Sequence, residues 1–437
     1  MALNRRSARD IVDALRNGTV PRSGLHEYAV GLGQHMQAME EQLDRVASGR
    51  GDVRSGRGEI KFVRGEYGAG KTFLTHLLVE TALKKGFVVS NVIISKDTPL
   101  HKLDEVYREI VTNLSTPREK TGALKGLLDR WTHRIEESLI RNEDIEENDP
   151  RLERRTEEEI EERLAIIAQE HSAFSAVLRA YYRADISGDS ALAQHLLGWL
   201  RGEKGVAAHI VRQAAGVKGK IDQTMIFAFI RILAEISHQA GRAGFVVVLD
   251  EVETITRLRT AKESEQGLQN IRQIVDAVDE GHLSRCYFVF TGTPDFFDNR
   301  NRGVRGLQPL DDRIRLDDPN DQFPNYRQAQ VAIQPFDREK LLTVGKRVKD
   351  IYEVAYGSLD GSRASDATVE SLADQMTARF GGEVKVVPRQ FLRQLVDTFD
   401  RIQAYEEYEP LGRIDEDLSR SLSAAHLTDV ENAYVAM

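Results

Sequence analysis

The sequence has few of the residues and segments that mark secreted or membrane proteins. Its 437 residues include a single cysteine, Cys286, which excludes an internal disulfide and lies in an apolar run typical of a buried, inert thiol. There is no run of about 18 apolar residues, so we expect no membrane-spanning helix. A signal peptide requires an apolar stretch after its basic start, and no such stretch follows the basic amino terminus here. The 11 histidines show no zinc-ligand spacing. We therefore expect a cytoplasmic protein.

Positive charge is in the minority as well. The net charge is −9 and the isoelectric point is near 5.8, which argues against a protein that coats nucleic acid by bulk electrostatics. A local basic strip stays compatible with this balance, because only side chains close to the phosphates release counterions. Hydrophobic content of 41% and charged content of 30% are typical of a globular protein. The length predicts two or three structural units.

The clearest motif is a glycine-rich stretch that fits the phosphate-binding loop G-x-x-x-x-G-K-[ST]. It consists of Gly65, Glu66, Tyr67, Gly68, Ala69, Gly70, Lys71 and Thr72. A predicted strand at 59–64 precedes it and a predicted helix at 73–85 follows it, which is the context that the motif needs. The glycines let backbone N–H groups approach phosphates, Lys71 would reach the β- and γ-phosphates, and Thr72 would hold Mg²⁺. The sequence therefore predicts nucleotide binding.

The remaining pattern predicts an α/β fold with a parallel sheet flanked by helices. Apolar runs at 87–95, 245–249, 286–290 and 331–336 predict further strands, whereas residues from about 100 to 220 show only helical patterns and predict a large helical insertion. We expect three domains: amino-terminal helices and a linker (1–58, with the linker at 49–58), the nucleotide-binding domain (59–334), and a helical lid with a tail (335–437). Residues 299–330 are expected to form a loop.

A second motif follows the apolar run at 245–249, which ends in Asp250 and Glu251. This pattern is typical of Walker B, in which Asp250 would act on the Mg²⁺ shell and Glu251 would orient and polarise the attacking water. The next strand ends near Thr291 and Thr293. Either threonine fits a sensor of the γ-phosphate, and the alternative is a threonine that only ends a strand.

Two arginines are candidates for contacts with the phosphates. Arg313, in the arginine-rich segment after the fourth strand, would serve as an arginine finger in a neighbouring subunit, because a guanidinium stabilises the charge of phosphoryl transfer. A surface salt bridge is the alternative for this residue. Arg389 follows Pro388 at the start of a predicted helix and would approach the nucleotide as a second sensor.

These motifs occur in an order similar to that of AAA+ ATPases of the Orc/Cdc6-like branch. More closely, the chain resembles the ATP-binding proteins of bacteriophage-exclusion (BREX) defence systems, of the short D-component type. The resemblance rests on residues 11–21, 64–73 and 388–393, including Tyr67 and Phe73 within the second stretch. It implies an ATPase that acts with other defence proteins, and it implies that Val20 and Pro21 lie near the adenine base. Such a system distinguishes host DNA by methylation and blocks phage DNA replication.

Three functions follow as hypotheses from the sequence and the resemblance. The first is an ATP-hydrolysing machine that uses Mg²⁺ and works as a homo-oligomer or hetero-oligomer with BREX-type partners. The second is a nucleotide-gated scaffold with negligible hydrolysis. The third is a DNA-loading or transposition-helper ATPase, for which direct contact with DNA is required.

Overall fold

The computed structural model describes residues 3–48, 58–168, 172–219, 221–379 and 388–413. The predicted linker, apart from Gly58, and the last part of the predicted tail lie outside these residues. The chain forms two compact units: unit 1 comprises Met1–Gln34, Gly65–Glu80 and Ile333–Met437, and unit 2 comprises His35–Arg64 and Thr81–Ala332. Unit 1 thus combines the phosphate-binding loop with both ends of the chain. The predicted three-domain division stays a prediction.

Unit 2 contains a five-stranded sheet in the order β2-β3-β4-β1-β5, and all of its strand pairs are parallel. The strands are β1 (Glu59–Arg64), β2 (Val88–Ile93), β3 (Phe245–Asp250), β4 (Cys286–Gly292) and β5 (Gln330–Ala332). Every residue of β3 and β4 is buried, as continuous apolar runs predict for central parallel strands. The prediction of a buried thiol is confirmed, since Cys286 is fully buried, and this burial raises its pKa to about 12.

Helices surround this sheet, and the predicted helical insertion is present. Between β2 and β3 the described residues form helices and no further strand. Ser115 in this stretch forms one isolated bridge with Val89 of β2. The helices assigned wholly or mainly to unit 2 are α2 (Gly33–Ala47), α4 (Leu103–Thr112), α5 (Leu124–Glu143), α6 (Pro150–Ala168), α7 (Ser172–Ile186), α8 (Ser190–Leu200), α9 (Ala208–Ala215), α10 (Ile226–Gln239), α11 (Ala261–Asp279), α12 (Pro294–Asp298) and α13 (Gln308–Ile314). Phe229 of α10 packs edge-on against Phe174 of α7 at 4.9 Å between centroids. One apolar core therefore joins the insertion to the sheet.

Unit 1 is helical. Its helices are α1 (Arg5–Arg16), the first part of α3 (Lys71–Lys84), α14 (Arg338–Tyr356), α15 (Asp366–Arg379) and α16 (Pro388–Ala404). Arg16 of α1 donates to both carboxylate oxygens of Asp400 on α16, at 2.7 and 2.9 Å, and Tyr352 of α14 donates to the same carboxylate at 2.8 Å. Bidentate guanidinium–carboxylate pairs fix geometry as well as charge, so α1 is joined here to α14 and α16.

Three predicted elements differ from the structure. A continuous helix at 25–47 was expected, but a 3-10 turn at Leu25–Glu27 precedes α2, and Gly31 between them has a φ of +74°, which a helix cannot contain. The expected loop at 299–330 is wrong in part, because α13 lies within it, with Pro309 in its first turn. β5 is shorter than predicted. Every helix among the described residues is too short or too polar to span a lipid bilayer.

Candidate functional site

The glycine-rich loop of unit 1 has the backbone conformation of a phosphate cradle. It follows β1 in the chain and leads into α3 at Lys71, so the amino-terminal end of a helix follows the loop, where its N–H groups and dipole favour an anion. Gly68 and Gly70 have φ values of +77° and +103°, which residues with a side chain rarely adopt. A Cβ added at Gly70 would meet no heavy atom within 4 Å. The loop therefore leaves room for a ligand at this glycine.

Lys71 is held by the loop that precedes it. Its side chain is buried, with 7% exposed, and its Nζ donates to the carbonyl oxygens of Gly65 at 2.8 Å and Glu66 at 3.2 Å. The ammonium also lies 5.2 Å from the centroid of the Tyr67 ring, within the range of a cation–π contact. Tyr67 thus has a contact with the lysine in addition to its place in the motif. A lysine pre-positioned in this way fits a phosphate ligand of the loop.

Thr72 and the residue after it continue the site within unit 1. Thr72 is the second residue of α3 and is partly exposed. A hydroxyl oxygen here suits Mg²⁺, which prefers oxygen ligands. Phe73 packs edge-on against Tyr28 with centroids 5.2 Å apart, so the loop contacts the amino-terminal segment of the same unit.

The predicted base-binding segment also belongs to unit 1. Pro21 is buried and Val20 is partly exposed. Next to them, a Cβ added at Gly18 would lie 3.8 Å from the side chain of Arg389 and 3.8 Å from that of Arg393. The predicted second sensor therefore lies beside the segment predicted to meet the base. The roles of Val20, Pro21 and Arg389 stay predictions.

Sequence reasoning missed Glu80 in the same unit. Its two carboxylate oxygens accept hydrogen bonds from the backbone N–H groups of Gly24 at 3.0 Å and Leu25 at 3.1 Å. The carboxylate is almost fully buried, and such bonds to a charged acceptor are stronger than neutral ones. Glu80 thus attaches the segment after Pro21 to helix α3. No sequence motif includes this residue, because its partners are backbone groups.

The acidic pair of unit 2 lies where β3 ends. Asp250 is buried, with 2% exposed, and it accepts hydrogen bonds from the hydroxyl of Thr291 on β4 and from the backbone N–H of Glu251 at 3.1 Å. The same N–H also approaches Thr291 Oγ1 at 3.2 Å. Of the two candidate threonines, Thr291 is the one that contacts the acidic pair. A buried carboxylate and a hydroxyl form a donor set of hard oxygens that fits Mg²⁺.

Glu251 has an unusual backbone conformation. Its φ is +61° and its ψ is 41°, in the left-handed region, and its side chain is exposed. Non-glycine residues rarely occupy this region, and such strain is concentrated at functional sites. The turn lets the chain leave β3 and enter a 3-10 helix at Val252–Arg257, so the Glu251 carboxylate projects from the strand end. This short helix was not predicted.

Arg313 and Arg64 both form ion pairs within unit 2. Arg313 of α13 pairs with Asp276 and, at 3.2 Å, with Asp279 of α11. Its role as an arginine finger stays a prediction. Arg64, the last residue of β1, donates to both oxygens of Asp298 on α12, one of them at 3.0 Å, and thereby attaches the end of β1 to the segment after β4.

Comparison with known proteins identifies the family to which the chain belongs. No curated protein matches the chain. The sequence model of the family described as "BREX system ATP-binding protein BrxC/D" matches residues 3–417, which is nearly the whole chain and includes both the glycine loop and the acidic strand end. The α/β architecture, with a parallel sheet and flanking helices, is consistent with a P-loop NTPase fold. The chain belongs to the BREX system ATP-binding protein family.

Proposed function

We propose that the protein binds ATP with Mg²⁺ and hydrolyses it in the cytoplasm, as a D-component ATPase of BREX-type defence. The observation that carries the proposal is the strand end of β3. Asp250 is fixed there by Thr291, while Glu251 is turned outward in the left-handed conformation. A structural strand end needs neither a buried carboxylate nor a strained glutamate, whereas hydrolysis needs a metal-directing acid and a water-orienting acid.

The predicted site residues would contribute different parts of the reaction. The loop N–H groups and Lys71 would bind the phosphates, and Thr72 would contribute a hydroxyl to the metal. Asp250 would act on the metal shell, and Glu251 would orient water for attack on the γ-phosphate. Mg²⁺ supplies charge neutralisation at the phosphate oxygens when it is bound. Nucleotide state would then control assembly with other BREX-type proteins.

ATP turnover and ATP binding, measured on the same variants, test this proposal. Glu251→Gln should reduce the turnover number by about a hundredfold or more, the range expected when a positioned acid–base group is lost, with little change in ATP affinity. Lys71→Ala should weaken ATP binding itself. Glu265→Gln, which alters an exposed glutamate of α11, is the matched control and should leave both quantities unchanged. The assays include other BREX-type proteins and duplex DNA, because activity can depend on them.

A second candidate is a nucleotide-gated scaffold with negligible hydrolysis. The ion pairs of Arg313 with Asp276 and Asp279 favour it, because a guanidinium held by its own chain is not offered to a neighbour's phosphates. This function predicts negligible turnover under every condition, together with partner capture that is lost in Lys71→Ala. Partner capture that is unchanged in Lys71→Ala would contradict it.

A further inference from the structure

Five arginines gather at the amino-terminal edge of the sheet in unit 2, where the strands begin. We name this group the arginine cluster. Two of its members lie on α5, one in the turn before α5, one in the turn before β3 and one directly before β4, and a histidine of the last turn of α10 accompanies them. The members are Arg118, Arg130, Arg134, Arg242 and Arg285, with His238.

Direct contacts bring three of these arginines to the end of α10. Arg130 Nε donates to the carbonyl oxygen of Ala240 at 2.8 Å, and Arg285 Nη1 donates to Nδ1 of His238 at 3.2 Å. The guanidinium of Arg134 lies against Gly241, where an added Cβ would be 1.8 Å from its Nη1. The charges converge because the carbonyl end of a helix attracts cations.

The other two arginines are close enough to affect the same region. Burial lowers the pKa of Arg242, and the positive charges of Arg130 and Arg118 lower it further. The pKa of His238 is lowered in the same way, by burial and then by Arg285 and Arg134. The charges of Arg118 and Arg130 thus act on Arg242, and those of Arg134 and Arg285 act on His238.

The arginines of the cluster have no carboxylate partner among the residues that the structure describes. Within the described ranges, none of the five arginines forms an ion pair, and the Nε atoms of Arg242 and Arg285 are buried without a hydrogen-bond partner. Arg285 is only 3% exposed. The charge of Glu119 acts on Arg242 and that of Glu235 acts on His238, and Glu235 already accepts from Gln239. Buried charges are normally paired, so this arrangement favours an anionic ligand.

We propose that the arginine cluster binds consecutive phosphates of a nucleic-acid backbone. Guanidinium groups match phosphate oxygens in geometry and stay charged. Five guanidinium groups, none of them in an ion pair within the described ranges, carry more positive charge than one phosphate would neutralise. Arg118 and Arg134 are exposed at the rim, whereas Arg242 and Arg285 lie deeper, as a backbone seated on the patch requires. Such contacts position a nucleic acid without reading its sequence.

Salt-dependent binding of a labelled DNA duplex, measured by fluorescence anisotropy without nucleotide, tests the proposal. Arg118→Ala and Arg134→Ala alter exposed side chains, so the fold should be kept. Each should reduce the slope of log affinity against log salt by about 1, and the double variant should weaken binding by about tenfold or more. Arg141→Ala removes an equal charge from an exposed site further along α5 and should leave binding unchanged.

Lys71→Ala separates this site from the phosphate-binding loop, and it should bind the duplex like the wild type. Absence of duplex binding at low salt would overturn the proposal, as would losses in Arg141→Ala equal to those in Arg134→Ala. In the Lys71→Ala background, tripolyphosphate that competes as well as unlabelled DNA would assign the cluster to a free polyphosphate instead. Equal competition by a glutamate polymer would assign it to carboxylates.

Discussion

The two ends of the central strands β3 and β4 in unit 2 bury opposite charges, Asp250 at the carboxyl edge and Arg285 at the amino edge. At the carboxyl edge, β3 ends in the buried Asp250, which receives its hydrogen bonds from Thr291 and a backbone N–H. At the amino edge, Arg285 directly precedes β4, and Arg242 lies in the turn before β3. Many other charged side chains among the described residues form ion pairs, such as Arg155 with Glu143 at 2.6 Å.

The buried Asp250 and Arg285 differ from the paired charges of the surface, and the difference shows which charges are suited to bind a ligand. A paired surface charge contributes about 0–1 kcal/mol and needs no third group. A buried charge that lacks an opposite charge costs free energy until a ligand supplies one. We infer that the carboxyl edge is suited to a cation and the amino edge to an anion, so one sheet would serve two ligands of opposite charge.

The largest expected effect tests the carboxyl edge, where Thr291→Val should reduce ATP turnover. The replacement keeps the shape of the side chain but removes the hydroxyl that donates to Asp250 and lies 3.2 Å from the N–H of Glu251. The turnover number for ATP should fall by about tenfold to a hundredfold, because both acids lose their common support. ATP affinity, measured separately by titration, should change little.

Thr291→Ser is the matched control, since it keeps the hydroxyl at the same position and should retain most of the turnover. Equal turnover in the valine and serine variants would mean that Thr291 only completes β4. In that case only Asp250 and Glu251 would contribute to ATP turnover at the carboxyl edge.

Much of this fold follows from the sequence. The bounds of β1 and the buried runs of β3 and β4 are confirmed. The apolar runs of β3 and β4 are stable inside a parallel sheet, and β1 directly precedes the glycine-rich loop, whose motif requires a strand there. The short elements were missed. The helix α13 and the 3-10 helix after Glu251 span too few residues to show a period, and their positions depend on tertiary contacts.

Some residues of the candidate site could be predicted from local motifs, whereas others depend on the tertiary fold. Lys71, Thr72, Asp250 and Glu251 belong to local motifs, so the sequence alone could identify them. The contact of Thr291 with Asp250 depends on the pairing of β3 with β4, which no local pattern encodes. The arginine cluster is assembled from separate stretches of chain in the same manner. The roles of Arg313 and Arg389 stay predictions for the same reason, because they depend on partners beyond their own segment.

A smaller effect is expected at the amino edge, from Arg285→Met. If the buried guanidinium serves a ligand, its removal should leave the free energy of unfolding unchanged or raise it by about 1 kcal/mol, because an unneutralised charge is replaced by apolar volume. Arg130→Met is the comparison within the arginine cluster. It loses the 2.8 Å hydrogen bond to Ala240 and should destabilise the protein by about 1 kcal/mol.

Denaturant unfolding without DNA measures both arginine variants. A loss of several kcal/mol in Arg285→Met would contradict the comparison, since it would show that Arg285 stabilises the fold by itself. Weaker duplex binding in the same variant, with stability kept, would support a ligand role for this edge.

The smallest effect concerns the pH dependence of stability, and it comes from His238. Burial and the charges of Arg285 and Arg134 hold its pKa below the ordinary value near 6.5, against the opposing effects of Glu235 and of a hydrogen bond to the backbone of Arg242. The unfolded chain therefore binds more protons than the folded one as the pH falls below about 6.5, so stability decreases with acidification through this window. His238→Asn keeps an acceptor for Arg285 but cannot be protonated, and its unfolding free energy should decrease less between pH 7 and pH 5.

A bound duplex should reduce the difference between wild type and variant, because phosphates favour the protonated imidazole. Identical pH profiles without DNA would mean that the arginine charges do not reach His238, and the contrast between the two edges would then rest on Arg285 alone.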